Sequence, residues 1–162
     1  MQTTIDDEPL SLINIHLIAS STDGRISQAR TLRSWIEDLG VETSNIIVLG
    51  DFNSRVRFNQ TSSEKEVGII RGFATPEEDD NLFDTQQDLV DRSTHVGDDP
   101  FDRIMLSPFL KDNPALVYTT VETRRDLAVR GRRDRGREVD YDKSVEEQDL
   151  SDHYPVVVRF SY

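Results

Sequence analysis

The amino-acid sequence predicts an α/β fold of the mixed α+β type, because a strand, a helix and a second strand follow one another in its first third. Apolar side chains alternate with period two over residues 10–19, which is typical of a strand. Over residues 25–39 they recur three and four positions apart, which predicts a helix, and residues 45–49 form a short apolar strand. This order is that of a βαβ unit, in which a helix joins two parallel strands.

The first predicted strand has two unlike faces. Ile13, Ile15 and Leu17 form a wholly apolar face, whereas Asn14 and His16 interrupt the aliphatic side chains of the other face. A histidine on such a face is, taken alone, more often a hydrogen-bonded core residue than a catalytic one.

Short sequence signals mark the ends of the predicted helix and of the second predicted strand. Ser21, Thr22 and Asp23 are candidate N-caps, and Gly40 suits the left-handed conformation that ends many helices. The second strand reads as fully buried and ends in Gly-Asp-Phe-Asn at residues 50–53.

The rest of the chain contains shorter elements and one highly charged segment. Residues 124–149 carry eight charges of each sign, which indicates a solvated loop. The remaining pattern predicts helices over 65–71 and 82–91, and strands over 103–106, 116–121 and 156–160.

Composition limits the classes of function. The 162 residues suffice for a single domain, and the net charge of −12 argues against non-specific attraction to nucleic acid. The absence of cysteine excludes a disulfide framework, a zinc–thiolate site and a thiol nucleophile. The sequence shows no membrane span and no signal peptide, and it does not indicate a compartment.

Acids, an amide and an imidazole stand at the ends of three predicted strands. Asp51 and Asn53 follow one strand, Asp102 precedes another, and Asp152 and His153 precede the last. Loops at strand ends hold functional groups rigidly. Carboxylate and amide oxygens suit Mg²⁺ or Mn²⁺, and a carboxylate beside an imidazole fixes its tautomer. Together they predict metal-assisted attack of water on a phosphoester.

Each motif taken alone also has a structural interpretation. Gly-Asp-Phe-Asn is a good turn sequence, and Ser-Asp-His is compatible with a turn and a surface imidazole. The arginine-rich residues 130–137 read as part of the solvated loop, because acidic neighbours cancel their charge. Their joint occurrence in this order, each at a strand end, favours a functional site.

The series of motifs resembles the endonuclease/exonuclease/phosphatase superfamily, the fold of pancreatic-type deoxyribonuclease. The likeness runs from about Leu10 to the C-terminus. It is carried by Asn14-x-His16-Leu17, Arg25-x-x-Gln28, Gly50-Asp51-Phe52-Asn53, Asp102-Arg103-Ile104 and Ser151-Asp152-His153-Tyr154-Pro155-Val156.

The resemblance implies a four-layer αββα sandwich and phosphoester hydrolysis that depends on Mg²⁺ or Mn²⁺. In this family Asp51 would orient or deprotonate the attacking water, and Asn53 would bind the scissile phosphate. His153, oriented by Asp102, would contact that phosphate or act as the base. The choice of base between Asp51 and His153 stays open. His16 would be a donor near the leaving group.

The implied metal ligands are Asp51, Asn53 and Asp152, but the family's principal glutamate ligand has no counterpart. Only MQTTIDDEP precedes the first motif, so the N-terminal half of the usual domain is expected to be missing. An uncovered sheet face and strand edge would then favour self-association or a complementary chain. We therefore expect weak or absent catalysis by this chain alone.

Three functions remain open at this point. The first is a nuclease or general phosphodiesterase acting on nucleic acid or a phospholipid. The second is an inositol polyphosphate phosphatase. Gly-Asp-Phe-Asn-Ser-Arg and Asp-Arg-Ile of this chain resemble the motifs of that branch, whereas Phe101 and Tyr154 depart from them. The third is a non-catalytic fragment that needs a complementary chain.

Overall fold

The computed structural model describes residues 2–5, 8–55, 62–76, 78–95, 98–125, 151 and 153–161. Within these residues the strands are β1 (Gln2–Ile5), β2 (Glu8–His16), β3 (Asn45–Asp51), β4 (Phe83–Asp84), β5 (Asp102–Leu106), β6 (Val117–Thr123) and β7 (Val156–Ser161). The helices are α1 (Thr22–Asp38), α2 (Glu66–Arg71) and α3 (Pro108–Lys111).

The strands form a large sheet and a small one. The large sheet has the order β1-β2-β3-β5-β4, and the small sheet pairs β6 with β7. β2 and β3 run parallel and are joined by α1, whereas the other pairs are antiparallel. The predicted βαβ unit is therefore confirmed, within an α/β fold of mixed sheet.

The large sheet is apolar on both faces, and each face is covered. On one face Ile36 of α1 and Ile70 of α2 pack with Val48 and Met105 in one core cluster. On the other face the small sheet contributes side chains to a second cluster around Leu106. Full burial of one such side chain is worth about 1.5–3 kcal/mol. The described chain thus stacks a helix layer, the large sheet and the small sheet.

The predicted faces and caps of the first βαβ unit agree with the structure. Ile13 and Ile15 pack against the helix side, and Leu10 and Leu12 pack on the other side. Ser21 is the N-cap of α1, and its hydroxyl accepts a hydrogen bond from the amide of Gly24 at 3.0 Å.

The helix predicted over residues 82–91 is wrong. Residues 83–84 form the short strand β4, and turns follow it. Leu82 lies in the core cluster on the helix side and Phe83 in the cluster on the other side, so successive residues face opposite ways, as in a strand. The sheet partner β5 determines this outcome, and a local apolar pattern does not reveal it.

Several predictions concern residues outside the described ranges. They are most of the charged segment 124–149, including the arginine-rich residues 130–137, and Asp152.

Part of the β2 edge is open among the described residues. β1 pairs with residues 8–11, and no described strand pairs with residues 13–16 on the side away from β3. Beside this edge a groove of about 310 Å³ lies between β2 and α1, with Trp35 in its wall. Trp35 is 61% exposed. None of the described helices has the length and apolar character needed to cross a bilayer.

A buried ion pair joins β4 and β5, at the edge of the large sheet opposite β1. Nη1 of Arg103 in β5 lies 2.7 Å from Oδ2 of Asp84 in β4, and both side chains are almost fully buried. Removing one partner of such a pair leaves an uncompensated charge in the core.

We predict that Arg103→Ala lowers the free energy of unfolding by about 3–5 kcal/mol, because the buried Asp84 carboxylate loses its direct 2.7 Å ion pair. Urea denaturation followed by circular dichroism measures the change. The matched control is Arg159→Ala, whose ion pair with Glu122 is largely solvent-exposed and should contribute less than about 1 kcal/mol. Equal losses in the two variants would contradict the assignment.

Candidate active site

Three polar residues form a row across the large sheet. His16 at the end of β2 is the register partner of Asp51 at the end of β3, and Asp51 is the partner of Asp102 at the start of β5. Directly paired residues point to the same face of a sheet. The register therefore gathers two acids and an imidazole at one edge of the large sheet, on the face that the small sheet covers.

His153 completes this group from the segment that leads into β7. Its Nδ1 lies 2.7 Å from Oδ2 of Asp102, and its Nε2 lies 4.0 Å from Oδ2 of Asp51. The same Asp51 oxygen lies 3.5 Å from Nε2 of His16, whose side chain is 75% exposed. The structure thus brings four of the predicted site residues together, with the Asp51 carboxylate between two imidazoles.

Gly50 allows β2 and β3 to approach closely beside Asp51. Its φ of 129° is a conformation that side-chain-bearing residues rarely adopt. A Cβ at this position would lie 2.0 Å from the backbone oxygen of Ile15. The glycine before the aspartate is therefore a geometric requirement of the site.

Asn53 is fixed by its hydrogen bonds to Asp51 and Leu17. Its backbone N–H donates to Oδ1 of Asp51 at 2.7 Å, which forms an Asx-type turn. Its side-chain Nδ2 donates to the Leu17 carbonyl at 2.8 Å and to Oδ2 of Asp51 at 3.2 Å. Both amide protons are used, so Asn53 donates to a phosphate only if one of these bonds breaks. The amide oxygen Oδ1 takes no part in them.

The Asp102 carboxyl is held in a partly buried setting. Burial raises the pKa of Asp102 above its ordinary value, and hydrogen bonds from His153 and Thr94 partly offset that rise. Thr94 is fully buried, and its hydroxyl oxygen accepts the backbone N–H of Asp102 at 2.9 Å. Asp102 is therefore oriented from both sides, by a backbone contact and by the imidazole.

The group formed by Asp51, Asp102 and His153 can hold a hard divalent cation through one carboxylate. One ligand atom from each of Asp51, Asp102 and His153 lies within 4.8 Å of the others. The Asp102 oxygen is already bonded to His153, and an imidazole is a poor ligand for Mg²⁺. Asp51 remains as the oxygen donor, and Mg²⁺ sites often use one or two carboxylates with water and substrate phosphate.

Sequence reasoning missed Thr94 and His95, which contact the Asp102–His153 pair. Thr94 bonds Asp102, and the His95 ring lies against the His153 ring with centroids 5.1 Å apart. No motif marks this segment. The one signal was that the chain has three histidines, of which the motifs explain two.

The arginines that follow two of the motifs occupy different places. Arg103 is buried against Asp84 on the helix side of the sheet, away from the site. Arg55 is 78% exposed, with its Nε 3.3 Å from Oδ2 of Asp99 and its guanidinium carbon 5.9 Å from the centroid of the Phe101 ring. Of the two, Arg55 alone lies near the residues around His153.

We predict that Gly50→Ala destabilises the fold by more than about 2 kcal/mol, because its Cβ would collide with the Ile15 backbone. Gly24→Ala is the matched control, since its Cβ would meet only side-chain atoms at 3.0–3.2 Å. Thermal denaturation of both variants measures the difference. A loss at Gly50 no greater than at Gly24 would refute the close approach.

No protein-family model and no curated protein matches the sequence. Solved structures do match. D. rerio TDP2 complexed with single strand DNA product has 20% identity and a TM-score of 0.64, covering 99% of this chain and 60% of its own. A mannosyl-6-phosphatase from Bacteroides thetaiotaomicron has 15% identity and a TM-score of 0.60, covering 97% and 53%.

An endonuclease/exonuclease/phosphatase family protein from the same bacterium has 16% identity and a TM-score of 0.58, covering 96% of this chain and 51% of its own. The chain spans about half to three fifths of the length of these proteins. At such identities the likeness concerns the fold. Over that length the described chain shares the fold of these solved structures, one of which is an endonuclease/exonuclease/phosphatase family protein.

Proposed function

We propose that the site belongs to a divalent-metal-dependent phosphoester hydrolase that acts by attack of water on a phosphate. One observation carries the proposal: the Asp51 carboxylate lies between two imidazoles, and one of these, His153, is bonded through Nδ1 to Asp102. A carboxylate beside a carboxylate-oriented imidazole is an arrangement that binds and deprotonates water.

The bond between Asp102 and His153 determines what the imidazole can do. An ionised carboxylate only accepts hydrogen bonds, so Nδ1 carries the proton in the neutral ring. Nε2 is then left with a lone pair on the side of Asp51. In this tautomer His153 either accepts the proton of an attacking water or, once protonated, donates to a phosphate oxygen.

Asp51 is the oxygen ligand that would hold Mg²⁺ or Mn²⁺, with Asn53 Oδ1 and Asp152 as further proposed ligands. Such a cation, when bound, neutralises the phosphate charge and orients the phosphate. The Asp51 carboxylate also accepts a hydrogen bond from a water that approaches Nε2 of His153. Proton transfer to His153 or to Asp51 is equally compatible with this geometry.

His16 is placed to contact the substrate from the opposite side of Asp51. Its side chain is largely exposed, and its Nε2 lies 3.5 Å from the Asp51 carboxylate. We assign this ring to the leaving-group oxygen of a phosphate bound beside Asp51. His16 would then act as a donor to that oxygen.

Turnover by this chain alone is expected to be slow. Among the described residues, Asp51 is the one carboxylate of the cluster that is not already bonded to an imidazole at short range. A single carboxylate binds Mg²⁺ weakly, because the ion dehydrates reluctantly.

Within this class we propose a nuclease or general phosphodiesterase. The structure of D. rerio TDP2 with a single strand DNA product supports a nucleic-acid substrate for this fold. The net charge of −12 requires that a nucleic acid be bound through the cation and local arginines such as Arg55 rather than through the whole surface.

An inositol polyphosphate phosphatase is the second proposal, and phosphomonoester chemistry has support from the mannosyl-6-phosphatase neighbour. Burial of Arg103 against Asp84 weakens it, since only Arg55 of the two motif arginines is left to meet a ring phosphate.

A third proposal is that the chain works only with a complementary polypeptide. The open edge at residues 13–16 and the groove beside Trp35 favour it, because unpaired strand edges and exposed aromatic side chains mark surfaces that bind other chains.

We predict slow hydrolysis of bis(4-nitrophenyl) phosphate in the presence of Mn²⁺, reduced at least about 100-fold in His153→Ala because the imidazole that accepts a proton from water or donates to the phosphate is lost. His16→Ala should cost about 10-fold, less than His153→Ala. Arg30→Ala, an exposed helix position, is the control and should equal the parent chain. Turnover that survives His153→Ala unchanged would contradict the proposal, and no turnover above Mn²⁺ alone would favour the complementary-chain proposal.

Substrate class is tested by comparing three phosphoesters. Single-stranded DNA, a phosphoinositide and a neutral phosphodiester lipid are offered to the parent chain under the same metal conditions. Preferred cleavage of DNA is the expected result. Release of inorganic phosphate from the phosphoinositide, with no DNA cleavage, would select the second proposal instead.

A further inference from the structure

The backbone of the Thr94–His95 segment is bound to the segment that carries His153. His95 forms an isolated antiparallel bridge with His153, and the Tyr154 N–H donates to the Thr94 carbonyl at 2.7 Å. The same Thr94 accepts the Asp102 N–H on its hydroxyl. This short stretch of chain therefore touches both partners of the Asp102–His153 pair.

The rings of His95 and His153 pack against each other in an edge-to-face arrangement. Their centroids are 5.1 Å apart and their planes meet at 74°, which is within the edge-to-face range that aromatic rings prefer. Phe101 packs with both, at 5.2 Å from His95 and 6.0 Å from His153. His153 thus lies in a small aromatic cluster with His95 and Phe101.

One hydrogen bond orients the imidazole only while that bond is intact. Rotation about χ2 moves both ring nitrogens, so a turn that breaks the 2.7 Å bond from Nδ1 to Asp102 also displaces Nε2, the atom that faces Asp51. A second ring packed against the imidazole opposes that rotation, because the two rings would overlap.

We propose that His95 is a positioning residue for His153, which holds the imidazole so that Nε2 faces Asp51. His95 acts through the shape and contact of its ring, not by exchanging a proton with the substrate. The catalytic consequence rests on the proposed hydrolase function, whereas the restraint of the ring is a property of the folded chain and is measured without substrate.

The decisive variants are His95→Leu, which keeps apolar volume but removes the flat ring, and His95→Phe, which keeps an aromatic ring and removes both nitrogens. The full chain is labelled with ¹³C, and its three histidine rings are assigned with His16→Ala and His153→Ala. Relaxation at Cδ2 and Cε1 then reports the mobility of the His153 ring on the picosecond-to-nanosecond timescale.

We expect the His153 ring to become more mobile in His95→Leu and to keep its parent order in His95→Phe, with the His16 ring unchanged in both. Turnover supplies a second readout: kcat should fall about 10- to 100-fold in His95→Leu with KM changed less than about twofold, because a misplaced reacting group costs rate more than binding. His95→Phe should stay within about threefold of the parent kcat.

An unchanged His153 ring in a folded His95→Leu would overturn the proposal. If His95→Leu does not fold, His95→Phe decides: a folded Phe variant with a mobile His153 ring would equally overturn it. Absence of turnover in the parent chain would count against the hydrolase function only, since the relaxation measurement would still decide the role of His95.

Discussion

The register of β3 with its two neighbours is the constraint on which the site depends. It places His16, Asp51 and Asp102 in one row across three strands, although they lie 35 and 51 positions apart along the chain. A slip of one residue in either pairing would turn one of these side chains to the opposite face of the sheet. Gly50 sustains the register where the backbone of β3 approaches the Ile15 carbonyl of β2 closely. The apolar residues on both faces of the sheet maintain the same alignment, because a slip would expose them.

His153 comes from a different part of the fold, and its place depends on the contact between the sheets. The small sheet packs on the large one through Tyr118 and Phe160, and His153, which precedes β7, bonds to Asp102 of the row. The Thr94 segment then bonds to both Asp102 and Tyr154. A short polar segment thus bonds both to Asp102 at the start of β5 and to the residues that lead into β7. Bonds that fix these positions matter for catalysis, because displacements of about 1 Å alter rates strongly.

The sequence predicted the parts of this arrangement whose signals are local. Period-two alternation identified the two faces of β2, capping residues identified the start of α1, and polar residues at strand ends marked Asp51, Asn53, Asp102 and His153. Signals that arise from distant contacts were not visible. Residues 82–91 look helical in isolation, but pairing with β5 makes β4 a strand. His95 stands in no motif, because its importance comes from a ring contact with a residue 58 positions away.

A cation site at Asp51 is tested most directly by a titration with Mn²⁺ that follows the histidine rings by NMR. Mn²⁺ broadens resonances with a steep dependence on distance, and the Nε2 atoms of His16 and His153 lie 3.5 and 4.0 Å from Oδ2 of Asp51. The resonances of the His16 and His153 rings should therefore broaden at low Mn²⁺ concentration, and Asp51→Asn should abolish this broadening. Absence of broadening at both rings, or broadening that survives Asp51→Asn, would contradict a cation site at Asp51.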